Sequence, residues 1–122
     1  MQLVAIVHEN PAIATEWAIS LSAAGFRVVT SASFEDGKAL LDAADPPALL
    51  IASVRLGAYN GLHLVIRGRL DHPDMAAILT SDAPDPSLHA EAAKYGAGYL
   101  GGAVDRDTVV SRAMQALADT GV

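Results

Sequence analysis

The sequence contains no cysteine. That absence removes disulfides, thiolate chemistry and Cys-ligated zinc together, and it is compatible with the cytosol. Positive charge is also scarce. Only 8 Lys and Arg stand against 14 Asp and Glu, a formal net charge of −6. A nucleic-acid surface needs a basic stripe, and none is visible. The densest basic cluster, Arg55, Arg67 and Arg69, reads as a solvated helix face. No apolar run approaches the ~20 residues that span a bilayer, so no membrane association is expected. The start, MQLVAIVHEN, has neither a basic n-region nor a cleavage site, and it reads as a first strand rather than a signal peptide. A cytoplasmic location is the expectation.

What is present is ample core material. The chain has 122 residues, 52% of them hydrophobic, which fits one domain (1–122) with one core and excludes disorder. Short apolar runs alternate with amphipathic stretches. LVAIV (Leu3 to Val7) is strand-like. Asn10 and Pro11 open a helix as cap and first helical residue, with Ile13, Trp17, Leu21 and Ala24 on one face, and Gly25 stops it. FRVVT (Phe26 to Thr30) is a second strand. Ser33, with Asp36 three residues on, starts a second helix that runs to Asp45, before Pro46 and Pro47. ALLIAS (Ala48 to Ser53) is a third strand, followed by a turn-like stretch and a helix from Gly61 to Leu70 that turns Leu62, Val65 and Ile66 inward. MAAILT (Met75 to Thr80) is a fourth strand. Asp85 and Pro86 open a helix to Tyr95, which Gly96 ends. GYL (Gly98 to Leu100) is a short fifth strand, and Asp105 caps a last helix carrying Val109, Val110, Ala113 and Leu117.

Five strands alternating with five helices predict an α/β fold, a flavodoxin-like doubly wound (βα)5 sandwich with a parallel five-stranded sheet in the order 2-1-3-4-5. The third strand is continuously apolar, as a parallel strand covered on both faces should be. Chemistry in such sheets sits at the strand C-termini, here His8, Glu9, Ser53, Thr80, Ser81 and the Gly101-Gly102 turn.

Four segments, in order and spacing, resemble bacterial response-regulator receiver domains over essentially the whole length. They are IVHENPAI, PALLIASVRLGAYNGLHL, AAILTSDAPD and AAKYGAGYL. The resemblance implies a signalling role in a two-component system or phosphorelay, and it assigns positions. The two metal-holding acids of the family fall at His8 and Glu9, the phosphoacceptor aspartate at Ser53, the phosphoryl-pairing lysine at Gly102 and the proline after it at Ala103. Thr80 keeps the hydroxyl of the switch, and Tyr99 keeps the aromatic that moves with it.

These departures share one direction. Aspartyl phosphorylation needs a carboxylate nucleophile and a metal to offset charge. A serine hydroxyl needs a general base, for which His8 is the nearby candidate. Mg²⁺ prefers carboxylates and waters, and only Glu9 remains, so Mg²⁺ binding is not expected and no cofactor is assigned. The pocket therefore reads as degenerate: a pseudo-receiver, not an enzyme, that acts by contact with a protein partner (a kinase, an output domain or a second copy). There is no G-x-S-x-G elbow around Ser53, which reads as a polar residue at a strand end. His8 and Glu9 read as a solvent-exposed pair. His63 and His72 point elsewhere. Gly101-Gly102 before Asp105 is a tight turn that could also form an anion nest. Ile19 lies opposite the Trp17–Leu21 face. The resemblance implies a partner or homodimer surface on the fourth helix, fifth strand and fifth helix, where Tyr95 and Met114 are the candidates. A reading from another class is a small-ligand or anion binder in the crevice around Glu9, Ser53, Thr80 and Gly102. A third is a receiver phosphorylated at another carboxylate, Asp82 or Glu9.

Overall fold

The computed structural model of the chain describes residues 1–120; the expected domain runs to residue 122, and Gly121 and Val122 lie outside the described residues. Five parallel strands form the central sheet: β1 (Leu3–Val7), β2 (Arg27–Ser31), β3 (Leu49–Ser53), β4 (Ala76–Ser81) and β5 (Gly98–Gly101). Their lateral order is β2-β1-β3-β4-β5, the expected one. The helices are α1 (Pro11–Ala23), α2 (Phe34–Leu41), α3 (Gly61–Asp71), α4 (Pro86–Lys94) and α5 (Arg106–Thr120). Among the described residues no helix is long and apolar enough to cross a membrane.

The helices start where polar caps meet unpaired N–H groups. Asn10 accepts from Ala12 N at 3.0 Å, Ser33 from Asp36 N at 3.1 Å, and Asp85 from Ser87 N at 2.9 Å. Asp105 accepts from Thr108 N at 2.8 Å, and this bond holds its carboxyl below the usual range. Gly25 and Gly96, at φ 102° and 72°, carry the chain out of α1 and α4 in a conformation that side chains disfavour.

One helix ends earlier than its spacing predicts. α2 stops at Leu41, not at Asp45. Asp42 and Asp45 would place negative charge at a helix C-terminus, which is unfavourable. Both carboxylates instead face arginines elsewhere in the chain: Arg67 lies 3.1 Å from Asp42 and Arg27 2.8 Å from Asp45.

Strand alternation divides the core into two layers. Val4, Ile6, Leu49, Ile51, Ala76 and Ile78 pack against α1 and α5 around Trp17, Leu21, Val109 and Ala113. Ala5, Val7, Leu50, Ala52, Ala77 and Leu79 pack against α2, α3 and α4 around Leu41, Leu64 and Val65. Every residue of β3 and β4 is buried, as expected of central parallel strands covered on both faces. Leu64 joins the α3 face beside the expected Leu62 and Val65, while Ile66 is only half-buried.

The turn-like stretch after β3 is ordered as a small antiparallel ribbon, Arg55–Leu56 against Tyr59–Asn60. Gly57 turns it at φ 61°. Leu56 is its buried anchor, and Tyr59 stacks on Phe34 with ring centroids 4.9 Å apart.

Candidate functional site

The sheet register lines up three buried polar residues. Val7 pairs with Ala52 and Ala52 with Leu79. One step further, His8, Ser53 and Thr80 stand side by side across β1, β3 and β4, facing the α1–α5 side like Ile6, Ile51 and Ile78 before them. They are 6%, 4% and 4% exposed. His8 is thus not the solvent-exposed residue expected. Its ring lies edge-on to Trp17 at 5.4 Å, and its Nδ1 accepts from Asn10 N at 3.0 Å. Glu9, the next residue, lies beyond the end of β1 and is exposed.

The polar capacity of the row is partly spent on the backbone. Ser53 Oγ donates to Arg55 O at 3.3 Å. Glu9 Oε2 accepts from Gly57 N at 3.0 Å and so ties the ribbon to the end of β1. Thr80 Oγ1 is buried without a hydrogen-bond partner. Gly102, at φ 86°, donates its N–H to Ser81 O at 2.9 Å. The row borders two crevices. One, of about 320 Å³, lies between the start of α1 and the β5–α5 turn and reaches His8, Thr80 and Gly102. The other, of about 210 Å³, reaches Ser53, Asp82 and Leu88. Among the described residues no group of three His, Cys, Asp or Glu could hold a metal ion. His63 is exposed on α3, and His72 Nε2 lies 2.8 Å from Leu41 O, so neither joins His8.

Tyr99 is the most heavily tethered side chain near the row. Its hydroxyl accepts from Asp85 N at 2.9 Å and pairs with Ser81 Oγ, which itself donates to Ala83 O at 2.7 Å. His89 of α4 stacks on the ring at 5.3 Å. The hydroxyl therefore sits inside the β4–α4 loop.

The two surface candidates are not brought together. Met114 is 48% exposed but lines the groove between α1 and α5 beside Ser20, Ala23 and Ala24. Tyr95 is half-buried at the end of α4, where its carbonyl accepts from Arg69 Nε at 3.1 Å. The expectation that Met114 shares a surface with Tyr95 on the fourth helix, fifth strand and fifth helix is therefore corrected: the spacing of Val109, Ala113 and Leu117 marks the buried face of α5, and Met114 falls on its α1 flank. Ile19 is exposed on α1, as expected. The arginine cluster is not simply solvated: Arg69 also donates to the carbonyls of Pro73 and Met75, and Arg67 pairs with Asp42.

No protein-family model matches the sequence, and no curated relative does. Solved structures do. A CheY-like receiver domain from Methanospirillum hungatei JF-1 superposes with a TM-score of 0.91 at 18% identity, over 99% of this chain and 97% of that one. A receiver domain from Clostridium thermocellum gives 0.88 at 18%, over 99% and 98%. The response regulator DrrB of Thermotoga maritima gives 0.85 at 21%, over 98% of this chain and 54% of that one. The chain has the receiver-domain fold.

Within this receiver fold, sequence reasoning misses the burial of His8, the flank taken by Met114 and several side-chain partners. Trp17 was read as core and is also the wall against which His8 packs. Ser81 and His89 were not seen as the supports of Tyr99, because long-range side-chain pairing leaves no local spacing signal. Burial of His8 has a measurable result. Desolvation lowers its pKa, and the nearby Asp82 and Glu9 only partly oppose that shift. The unfolded chain therefore binds more protons than the folded one below about pH 6.5, and stability falls as pH drops from there to the lowered folded value. Urea unfolding between pH 8 and pH 5 should show this loss. The part due to His8 should vanish in His8→Gln, and an unchanged pH slope in that variant would assign the loss to other groups.

Proposed function

We propose that the chain is a receiver-like signalling module that works by protein–protein contact, without aspartyl phosphorylation and without enzymatic activity of its own. The observation that carries this reading is the buried row His8–Ser53–Thr80. Where the resemblance puts a phosphoacceptor carboxylate, the row has a hydroxyl donated to Arg55 O. Where it puts the first metal-holding acid, the row has a buried imidazole. Glu9 is already engaged with Gly57 N, and Gly102 offers no cation. A phosphoryl group arriving here would meet no nucleophilic carboxylate at Ser53 and no cation at Gly102. No Mg²⁺ and no other cofactor is assigned.

The tethering of Tyr99 by Ser81 and Asp85 supports a module held in one arrangement. Its partner is a kinase, an output domain or a second copy, docking on the surface of α4, β5 and α5, in the cytoplasm. The test is an amide NMR titration with Mg²⁺ and then beryllofluoride, a phosphoryl mimic. The expected result is no saturable shift at Glu9, Ser53, Thr80 or Gly102. Saturable shifts at those amides that spread to Tyr99 would overturn the reading.

A further inference from the structure

The corner between β5 and α5 carries little side chain: Gly102 has none and Ala103 a methyl. The crevice beneath it measures about 320 Å³, at the lower end of the range in which proteins hold small molecules, about 300–1,000 Å³. Its walls are apolar, from Ile13, Trp17 and Val104. Its floor is polar. Thr80 is 4% exposed, alternation aims it at this floor, and its Oγ1 has no partner. His8 Nδ1 accepts from Asn10 N, so in the neutral ring the proton sits on Nε2, a donor with no protein partner among the described residues. A floor with one spare donor and one spare hydroxyl is matched by a hydroxyl on a ligand, which can accept from the first and donate to the second.

The rim sets the charge. Glu16 and Asp82 stand at the mouth. Arg106, the nearby cation, lies 3.8 Å from Glu16, and Asp82 joins no ion pair among the described residues. The Gly102 N–H that might have formed an anion nest is spent on Ser81 O. Among the described residues the crevice lining thus carries Glu16 and Asp82 and no Lys or Arg, which disfavours anions and concentrates cations.

We propose that this crevice is a binding site for a small amino alcohol, with its ammonium at Asp82, its carbon chain against Trp17 and Ile13, and its hydroxyl on the floor between His8 and Thr80. This goes beyond the signalling reading and does not depend on it: the site is one for a small-molecule input, whichever partner the module contacts.

The test is an amide NMR titration of the whole chain with 4-amino-1-butanol, with 4-hydroxybutyrate as the anionic counterpart and butylamine as the counterpart lacking the hydroxyl. Saturable shifts centred on His8, Trp17, Ser81 and Gly102 are expected with the amino alcohol, at least fivefold tighter than with either counterpart. Asp82→Asn changes an exposed residue and should leave the free spectrum intact while weakening binding at least fivefold. Thr80→Val should abolish the advantage over butylamine. Absence of saturable shifts, or equal or tighter binding of 4-hydroxybutyrate, overturns the proposal. So does an Asp82→Asn chain that binds unchanged. Because no phosphoryl mimic is used, failure here leaves the beryllofluoride result standing on its own.

Discussion

Gly61→Ala should destabilise the fold by about 3 kcal/mol or more, in the class of mutations that force a backbone to move. A Cβ at Gly61 would fall 1.8 Å from the carbonyl oxygen of Ser53. No rotamer change relieves that contact, because the obstructing atom is main chain. The contact is close because Gly61 N donates to Val54 O at 2.8 Å and so holds the start of α3 against the end of β3. Gly68→Ala, on the same helix, is the control. Its Cβ would meet Met75 Cε, the far end of a flexible side chain, and the helix gains up to about 1 kcal/mol of propensity. In urea the first variant should unfold at a much lower midpoint, and the second near the parent, both with unchanged slope. Equal midpoints would mean that the strand–helix junction is slack.

Ser53→Asp installs the carboxylate that the resemblance to receiver domains puts at this position, and it should still harm this chain. The position is 4% exposed, in a row with His8 and Thr80, and Glu9 and Asp82 lie near enough to raise the proton affinity of His8. A carboxylate placed there loses water and meets like charge, so its pKa rises. The folded state then binds more protons than the unfolded one. Relative to the parent chain, stability is retained near pH 4, falls as pH rises through the raised folded value, and levels off above it. A loss of about 2–3 kcal/mol at pH 8 is expected. Mg²⁺ should return little of it, since the metal would find Glu9 alone of the two outer acids, and that carboxylate is occupied by Gly57 N. Full recovery in Mg²⁺ would falsify the pseudo-receiver reading, because it would reveal a working metal pocket.

Local chemistry made much of this architecture readable. Asn10-Pro11, Ser33 and Asp85-Pro86 each satisfy N–H groups within three residues, so the caps appear in the sequence as they do in the fold. The unbroken apolar run of β3 marked it as central. What stayed hidden depends on distant partners. The early end of α2 reflects Arg27 and Arg67, 18 and 25 residues away from the aspartates they meet. Glu9 reaches Gly57 across 48 positions. The strand-end positions His8, Ser53 and Thr80 were legible, but not their alignment into one buried row, which requires the register of three strands. Met114 is exposed as expected but lies on the α1 flank of α5 rather than beside Tyr95, because its side of α5 depends on how α1 packs against it.

The Tyr99 tether also bears on how a signal could be carried. A conventional switch is filled only in the fraction of molecules that occupy the competent state, and its apparent affinity is reduced by that fraction. With its hydroxyl shared between Ser81 and the Asp85 backbone, the neighbourhood of α4 and β5 is tied in one arrangement, and the protein partner proposed above would meet its full intrinsic affinity there. On the proposed reading, occupancy of the partner would follow the number of copies of this chain rather than their chemical state, and expression and turnover would set the strength of the message.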